Sequence, residues 1–260
     1  MADRKKSAAR RTRRPAPPSI RKNRPVSARA ARAARAAPAA GRESQADRKA
    51  RLAKILRALK KLYPEATCAL THRSALELLV STILSAQCTD ERVNKVTADL
   101  FTRYRRVQDY ANADAAALER EIRSTGFFRN KTKNLIGMGT TVVQRFAGRI
   151  PETMEELLEL PGVARKTANV LLGTWFGKNE GIVVDTHIGR LSQRLRLCGS
   201  TQDDKDAVRI EQDLMQIVPR EEWTWFGHAL IWHGRKVCTA RKPDCPGCAL
   251  APHCPSAGKV

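Results

Sequence analysis

The chain has no run of apolar residues long enough to cross a membrane. Its N-terminus lacks the apolar centre of a secretory signal. No stretch alternates apolar and polar residues long enough to read as a strand. Acids are scarce: 26 Asp and Glu face 48 Lys and Arg, for a formal net charge of +22. These absences argue against a membrane partner, against export and against a sheet-based fold. The excess of base favours an anionic polymer, with nucleic acid the default. With 260 residues the chain has room for one or two domains with a real core.

The charge is uneven. Met1 to Arg42 holds 14 Lys and Arg against one acid, Asp3, so this stretch carries +13 of the +22 and the remainder +9. Residues 1–46 read as a disordered basic arm that adds salt-dependent, sequence-independent affinity for DNA. A dispensable extension of biased composition is the plainer alternative. The arm is Arg- and Ala-rich like a mitochondrial transit peptide, but Pro15, Pro17, Pro18 and Pro25 interrupt any helix there. The expected location is cytoplasmic, on a bacterial nucleoid, with mitochondrial targeting left open.

From Asp47 the pattern is that of a folded, all-α protein. Leu52, Ile55, Leu56, Leu59, Leu62 and Tyr63 recur at helical spacing until Pro64. Residues 76–86 are nearly all apolar, which predicts a helix buried on most sides. Thr89 or Asp90 is placed to cap a next helix with Val93, Val96, Leu100, Phe101 and Tyr104 inward. Further helices are predicted around Leu118 and Ile122, Leu135–Phe146, Met154–Leu160, after Gly162, around Leu191, at Ile210–Val218 and at Trp223–His233.

Two clusters carry chemistry. The first is Leu160-Pro161-Gly162-Val163-Ala164-Arg165-Lys166, followed by Asp185 19 positions after the lysine, beyond a loop with Gly177 and Gly181. A Pro-Gly turn opening a helix leaves free N–H groups and a partial positive charge, a seat for phosphate. That field, with burial, disfavours an ammonium and would make Lys166 a usable amine nucleophile. Taken singly, the lysine reads as solvated and the aspartate as a cap. The second cluster is Cys238, Cys245, Cys248 and Cys254, spaced C-x6-C-x2-C-x5-C. Four thiols this close suit a metal site, and spacing alone leaves zinc and an iron–sulfur cluster both open. Cys68, Cys88 and Cys198 are scattered and read as small core residues.

Together these stretches resemble the endonuclease III family of helix-hairpin-helix DNA glycosylases, from about Leu52 to Cys254. The resemblance implies a fold of two domains: six helices over 68–178 with the hairpin, and a discontinuous iron–sulfur domain from 47–67 and 179–260. It implies a bifunctional glycosylase and AP lyase removing oxidised pyrimidines, with Lys166 the nucleophile and Asp185 assisting. Cys238, Cys245, Cys248 and Cys254 would hold a [4Fe-4S] cluster. The partner would be double-stranded DNA carrying a damaged base or an abasic site, met by a monomer. Gly162, Ala164 and Arg165 of the hairpin, with Arg190, Arg241 and Lys242, would contact the backbone. Gln87 would enter the vacated stack and Phe127 would wedge the opposite strand, where the family often has leucine. The family's usual second hairpin glycine is Ala164 here, which would be uncomfortable at positive φ.

Two rivals remain. A monofunctional, adenine-type glycosylase uses a carboxylate and water, which Lys166 and Ser85-Ala86-Gln87 argue against. A non-catalytic DNA-binding module would need neither Lys166 nor Asp185.

Overall fold

The computed structural model describes residues 43–260. Expectations about the basic arm fall on residues 1–42 and lie outside the described residues. The last residues of that proposed arm are already ordered: Ser44 caps the first helix, α1, Gln45–Leu62, by accepting from the Asp47 N–H. No strand occurs among the described residues.

Side-chain caps fix most helix starts, each worth about 1 kcal/mol. Ser74 starts α2 (Ala75–Leu84), Thr89 starts α3 (Asp90–Arg103), and Asp114 starts α5 (Ala115–Ile122). Between α3 and α5 lies α4, Val107–Ala111, a five-residue helix not assigned from the sequence because only Val107 and Tyr110 mark its buried face. The long α6 covers Phe128–Arg145 and α7 covers Met154–Leu158, capped by Thr153. The hairpin helix α8 is Arg165–Thr174. Asp185 caps α9 (Thr186–Arg194), Asp206 caps α10 (Ala207–Ile217), and α11 runs Trp223–Lys236.

Two apolar cores form. One is built from residues between Leu70 and Leu172, centred on α2, whose Leu78, Leu79, Val80 and Leu84 are fully buried. Each such side chain contributes about 1.5–3 kcal/mol by leaving water. The other joins Leu52, Ile55 and Leu59 of α1 to residues between Ile182 and Leu250. Chain segments distant in sequence therefore share this second core, and Trp225 pins them by donating its Nε1–H to the Tyr63 carbonyl at 3.0 Å. The two cores meet along α8, α9 and α11.

Candidate active site

The α7–α8 turn is built for close approach. Gly162 sits at φ +80°, and a Cβ there would stand 2.8 Å from the Cβ of Asn134 on α6. Only glycine meets both demands. Ala164 has extended backbone, φ −100° and ψ 170°, so the alanine is comfortable where the sequence suggested strain. It makes no side-chain cap, which leaves the first N–H groups of α8 facing outward, the arrangement that suits a phosphate. Lys166 follows in the first turn and is exposed. Burial, which the sequence reading invoked to suppress its charge, is not supplied by the free protein.

The following loop folds back on this helix. Glu211 of α10 is buried and takes the Arg165 Nε–H at 3.0 Å and Nη2–H at 3.1 Å, while Asn169 donates to it at 2.9 Å. The Glu211 carboxylate raises the Arg165 pKa through these hydrogen bonds. A Cβ on Gly181 would collide with Glu211 and Asn169, so this glycine lets the loop close over the pair. Four residues on, Asp185 turns into α9, with Oδ1 accepting from the N–H groups of His187 and Ile188 at 2.9 Å each. Asp185 is indeed a cap, and the cap fixes its carboxylate.

Lys166 and Asp185 both line two adjoining cavities, of about 120 and 460 Å³. The smaller is walled by one face of α11: His228, Ile231, Trp232 and Arg235. Burial pushes the His228 pKa down to about 4, so this imidazole is neutral, with Nε2 3.2 Å from Thr174 Oγ1. Arg235 pairs with Asp90, which also lines this cavity, at 2.7 Å. None of these wall residues was singled out from the sequence. Their i, i+3, i+4, i+7 spacing was the available signal, but an apolar helix face reads as core.

Gln87 and Phe127 both occupy exposed loop tips in the left-handed region, at φ 53° and 48°. Phe127 is 66% exposed, whereas Phe128 packs against the first core. Arg190 also lines the larger cavity, but its guanidinium is engaged internally. Nη2 donates to the carbonyls of Gly234 and Cys238 at 3.0 Å and lies 3.1 Å from His187 Nδ1. It is held by carbonyls of the protein itself rather than standing free for a DNA phosphate. Burial also lowers the His187 pKa, as suits an acceptor for Arg190. Arg241 and Lys242 are exposed on a loop whose carbonyls at Thr239 and Ala240 accept from Arg194 at 2.7 and 2.8 Å.

The four C-terminal cysteines line one largely apolar cavity of about 30 Å³ between Leu191, Leu195 and Leu250. Arg194 Nη1 donates to Cys238 Sγ at 3.3 Å, and His233 Nε2 lies 3.3 Å from Cys248 Sγ. Four soft donors with a guanidinium directed at one of them fit an anionic, thiolate-ligated cluster. Among the described residues no three His, Cys, Asp or Glu side chains stand close enough to hold a metal ion, so the fit rests on the cavity and its donors. The opposite face of α11 lines this cavity through His233, so one helix is wall to both.

The family model for HhH-GPD superfamily base excision DNA repair proteins matches residues 80–220. Endonuclease III of Synechocystis sp. is 56% identical over 199 residues, covering 76% of this chain and 89% of its own. Endonuclease III of Bacillus subtilis is 42% identical, covering 74% and 86%. A solved structure described as a trapped endonuclease III–DNA covalent intermediate, in an estranged-adenine complex, superposes with a TM-score of 0.75 at 42% identity, covering 80% of this chain and 96% of that one.

Proposed function

The chain belongs to the HhH-GPD superfamily of base excision DNA repair proteins, and from that premise we propose that it is a bifunctional DNA glycosylase and AP lyase for oxidised pyrimidines in double-stranded DNA. The observation that carries this reading is an amine and a carboxylate sharing two cavities at an uncapped helix N-terminus. The relative trapped covalently on DNA is in keeping with an amine mechanism.

Lys166 Nζ, as the free amine, attacks C1′ of the extruded nucleotide. The C1′–base bond breaks and the base leaves with the bonding electrons. Opening of the sugar gives a Schiff base between Lys166 and C1′. Loss of the C2′ proton then drives β-elimination, which cuts the strand 3′ to the site. Asp185, held by two backbone N–H groups, takes a proton from the lysine or stabilises positive charge on the sugar. The α8 N-terminus, with Gly162 and Ala164, receives a phosphate; Arg241 and Lys242 add exposed positive charge. Gln87 and Phe127 fill the space a flipped base leaves. The smaller cavity, which Lys166 and Asp185 share with α11, would hold the target base, with His228 as a neutral hydrogen-bonding group in its wall.

Cys238, Cys245, Cys248 and Cys254 would hold a [4Fe-4S] cluster in this reading, and their ligation would tie the C-terminal loop down without electron transfer in the reaction. The two separate cores support the division into 68–178 and 47–67 with 179–260. No helix of the described residues is long and apolar enough to cross a membrane. The protein is read as a cytoplasmic monomer.

Sodium borohydride trapping tests the mechanism on a duplex with one thymine glycol, beside an abasic duplex. Covalent adducts on both, absent for Lys166→Ala, are expected. Adducts on the abasic duplex alone would overturn the base specificity. No adduct on either would overturn the lysine mechanism.

A further inference from the structure

Lys131 is an anomaly. It is 3% exposed, lies in the first turns of α6 and has no carboxylate partner among the described residues. An ammonium there loses hydration and opposes the positive end of the helix. Burial accordingly lowers its pKa. What offsets this is two backbone acceptors: Nζ donates to the Leu84 carbonyl at 2.8 Å and to the Thr125 carbonyl at 2.8 Å. Leu84 is the last residue of α2, and Thr125 ends a 3-10 turn at Arg123–Thr125. Both carbonyls are the orphan acceptors of a helical end, carrying partial negative charge.

These two ends launch the two tips. Gln87 comes three residues after Leu84, and Phe127 two residues after Thr125. Both tips are non-glycine residues in the left-handed region, a conformation that persists only where its surroundings enforce it. One ammonium thus bridges the roots of two strained loops that lie 40 residues apart in the chain.

We propose that Lys131 is a positioning residue that couples the Gln87 and Phe127 loops, fixing their spacing so that both enter the duplex together as a base is extruded. This rests on the proposed glycosylase reading for what the loops do, and on the hydrogen bonds for how they are held. Methionine at 131 keeps the length and apolar stem and removes both bonds.

Three measurements test it on the full chain. First, amide exchange needs no activity: Lys131→Met should speed exchange in segments 85–89 and 124–128 together, and unchanged exchange in either overturns the coupling. Second, excision from a thymine glycol duplex should fall roughly 10- to 100-fold, the loss expected for loops displaced by about 1 Å. Borohydride trapping on a single-stranded abasic oligonucleotide, which needs no wedge, should stay within about twofold. The fluorescence rise of 2-aminopurine placed opposite the lesion should shrink. Equal loss on both substrates in a folded variant, or no loss on the duplex, overturns the proposal. Wild-type protein inactive on both substrates would instead overturn the glycosylase reading, leaving the exchange result to judge Lys131. Third, should Lys131→Met not fold, a cycle of Gln87→Ala and Phe127→Ala decides, since both sites are exposed. Tips held as a unit give a double variant that loses less than the product of the single losses; simply multiplying losses overturn the coupling.

Discussion

Replacing Glu211 by glutamine should loosen the hairpin helix. Glu211 is 7% exposed and serves three donors, two from Arg165 and one from Asn169. Glutamine removes the charge and turns an NH₂ toward groups that are already donors. Removing one partner from a fully buried pair costs about 3–5 kcal/mol. The Arg165 side chain is 47% exposed, so water recovers part of the loss. The expected cost is about 2 kcal/mol, or roughly 4–8 °C in melting temperature for a body of this size. Thermal unfolding followed by circular dichroism measures it. Because the carboxylate is buried, the gap between variant and wild type should change little between low and high salt. Lys166 neighbours Arg165, so trapping on abasic DNA should also slow, by roughly tenfold. A variant melting within about 1 °C of wild type, or a gap that vanishes in salt, would refute the reasoning.

Asp185→Asn keeps a good helix cap, so stability should hold within about 0.5 kcal/mol while strand cutting falls at least roughly 100-fold; Asp185→Ala should lose both, and the melting temperatures separate the two. Gly162→Ala meets a positive φ and the Asn134 side chain, and should cost about 2–4 kcal/mol by denaturant titration. His228 has a folded pKa of about 4 against an ordinary 6.5, so the folded state binds fewer protons in that interval. Stability is therefore complete above pH 6.5 and is lost as pH falls toward 4, by up to about 3 kcal/mol; His228→Asn should flatten that part of the profile in pH-dependent melts. Protein purified anaerobically should be yellow-brown, and removing its iron should speed proteolysis between Cys238 and Cys254; a colourless protein with bound zinc would contradict the cluster.

Much of this was legible in the chain. Apolar periodicity located most helices, and Thr89 and Asp185 announced their own starts, because a cap needs only local sequence. The hairpin and its lysine were legible because turn, helix start and nucleophile are contiguous. What could not be read depends on contacts between distant segments. The Glu211 clamp on Arg165 spans 46 positions. Lys131 sits in a basic, polar run that reads as a surface loop, yet its ammonium is buried by α2 and the Thr125 turn. Left-handed backbone at Gln87 and Phe127 has no sequence mark, since neither is glycine or asparagine. Lys166 was expected to be buried and is not.

Helix α11 limits how this protein can be redesigned. Its residues alternate in allegiance, His228, Ile231, Trp232 and Arg235 toward one cavity and His233 toward the cysteines. A slip of a single residue along the axis advances the helix about 1.5 Å and rotates it about 100°. That would swing Arg235 off Asp90 and His233 off Cys248 in the same motion. A library meant to retune base preference by repacking this wall must therefore be screened for cysteine-site integrity as well, and the safest positions are those where side-chain size changes while the register of α11 does not.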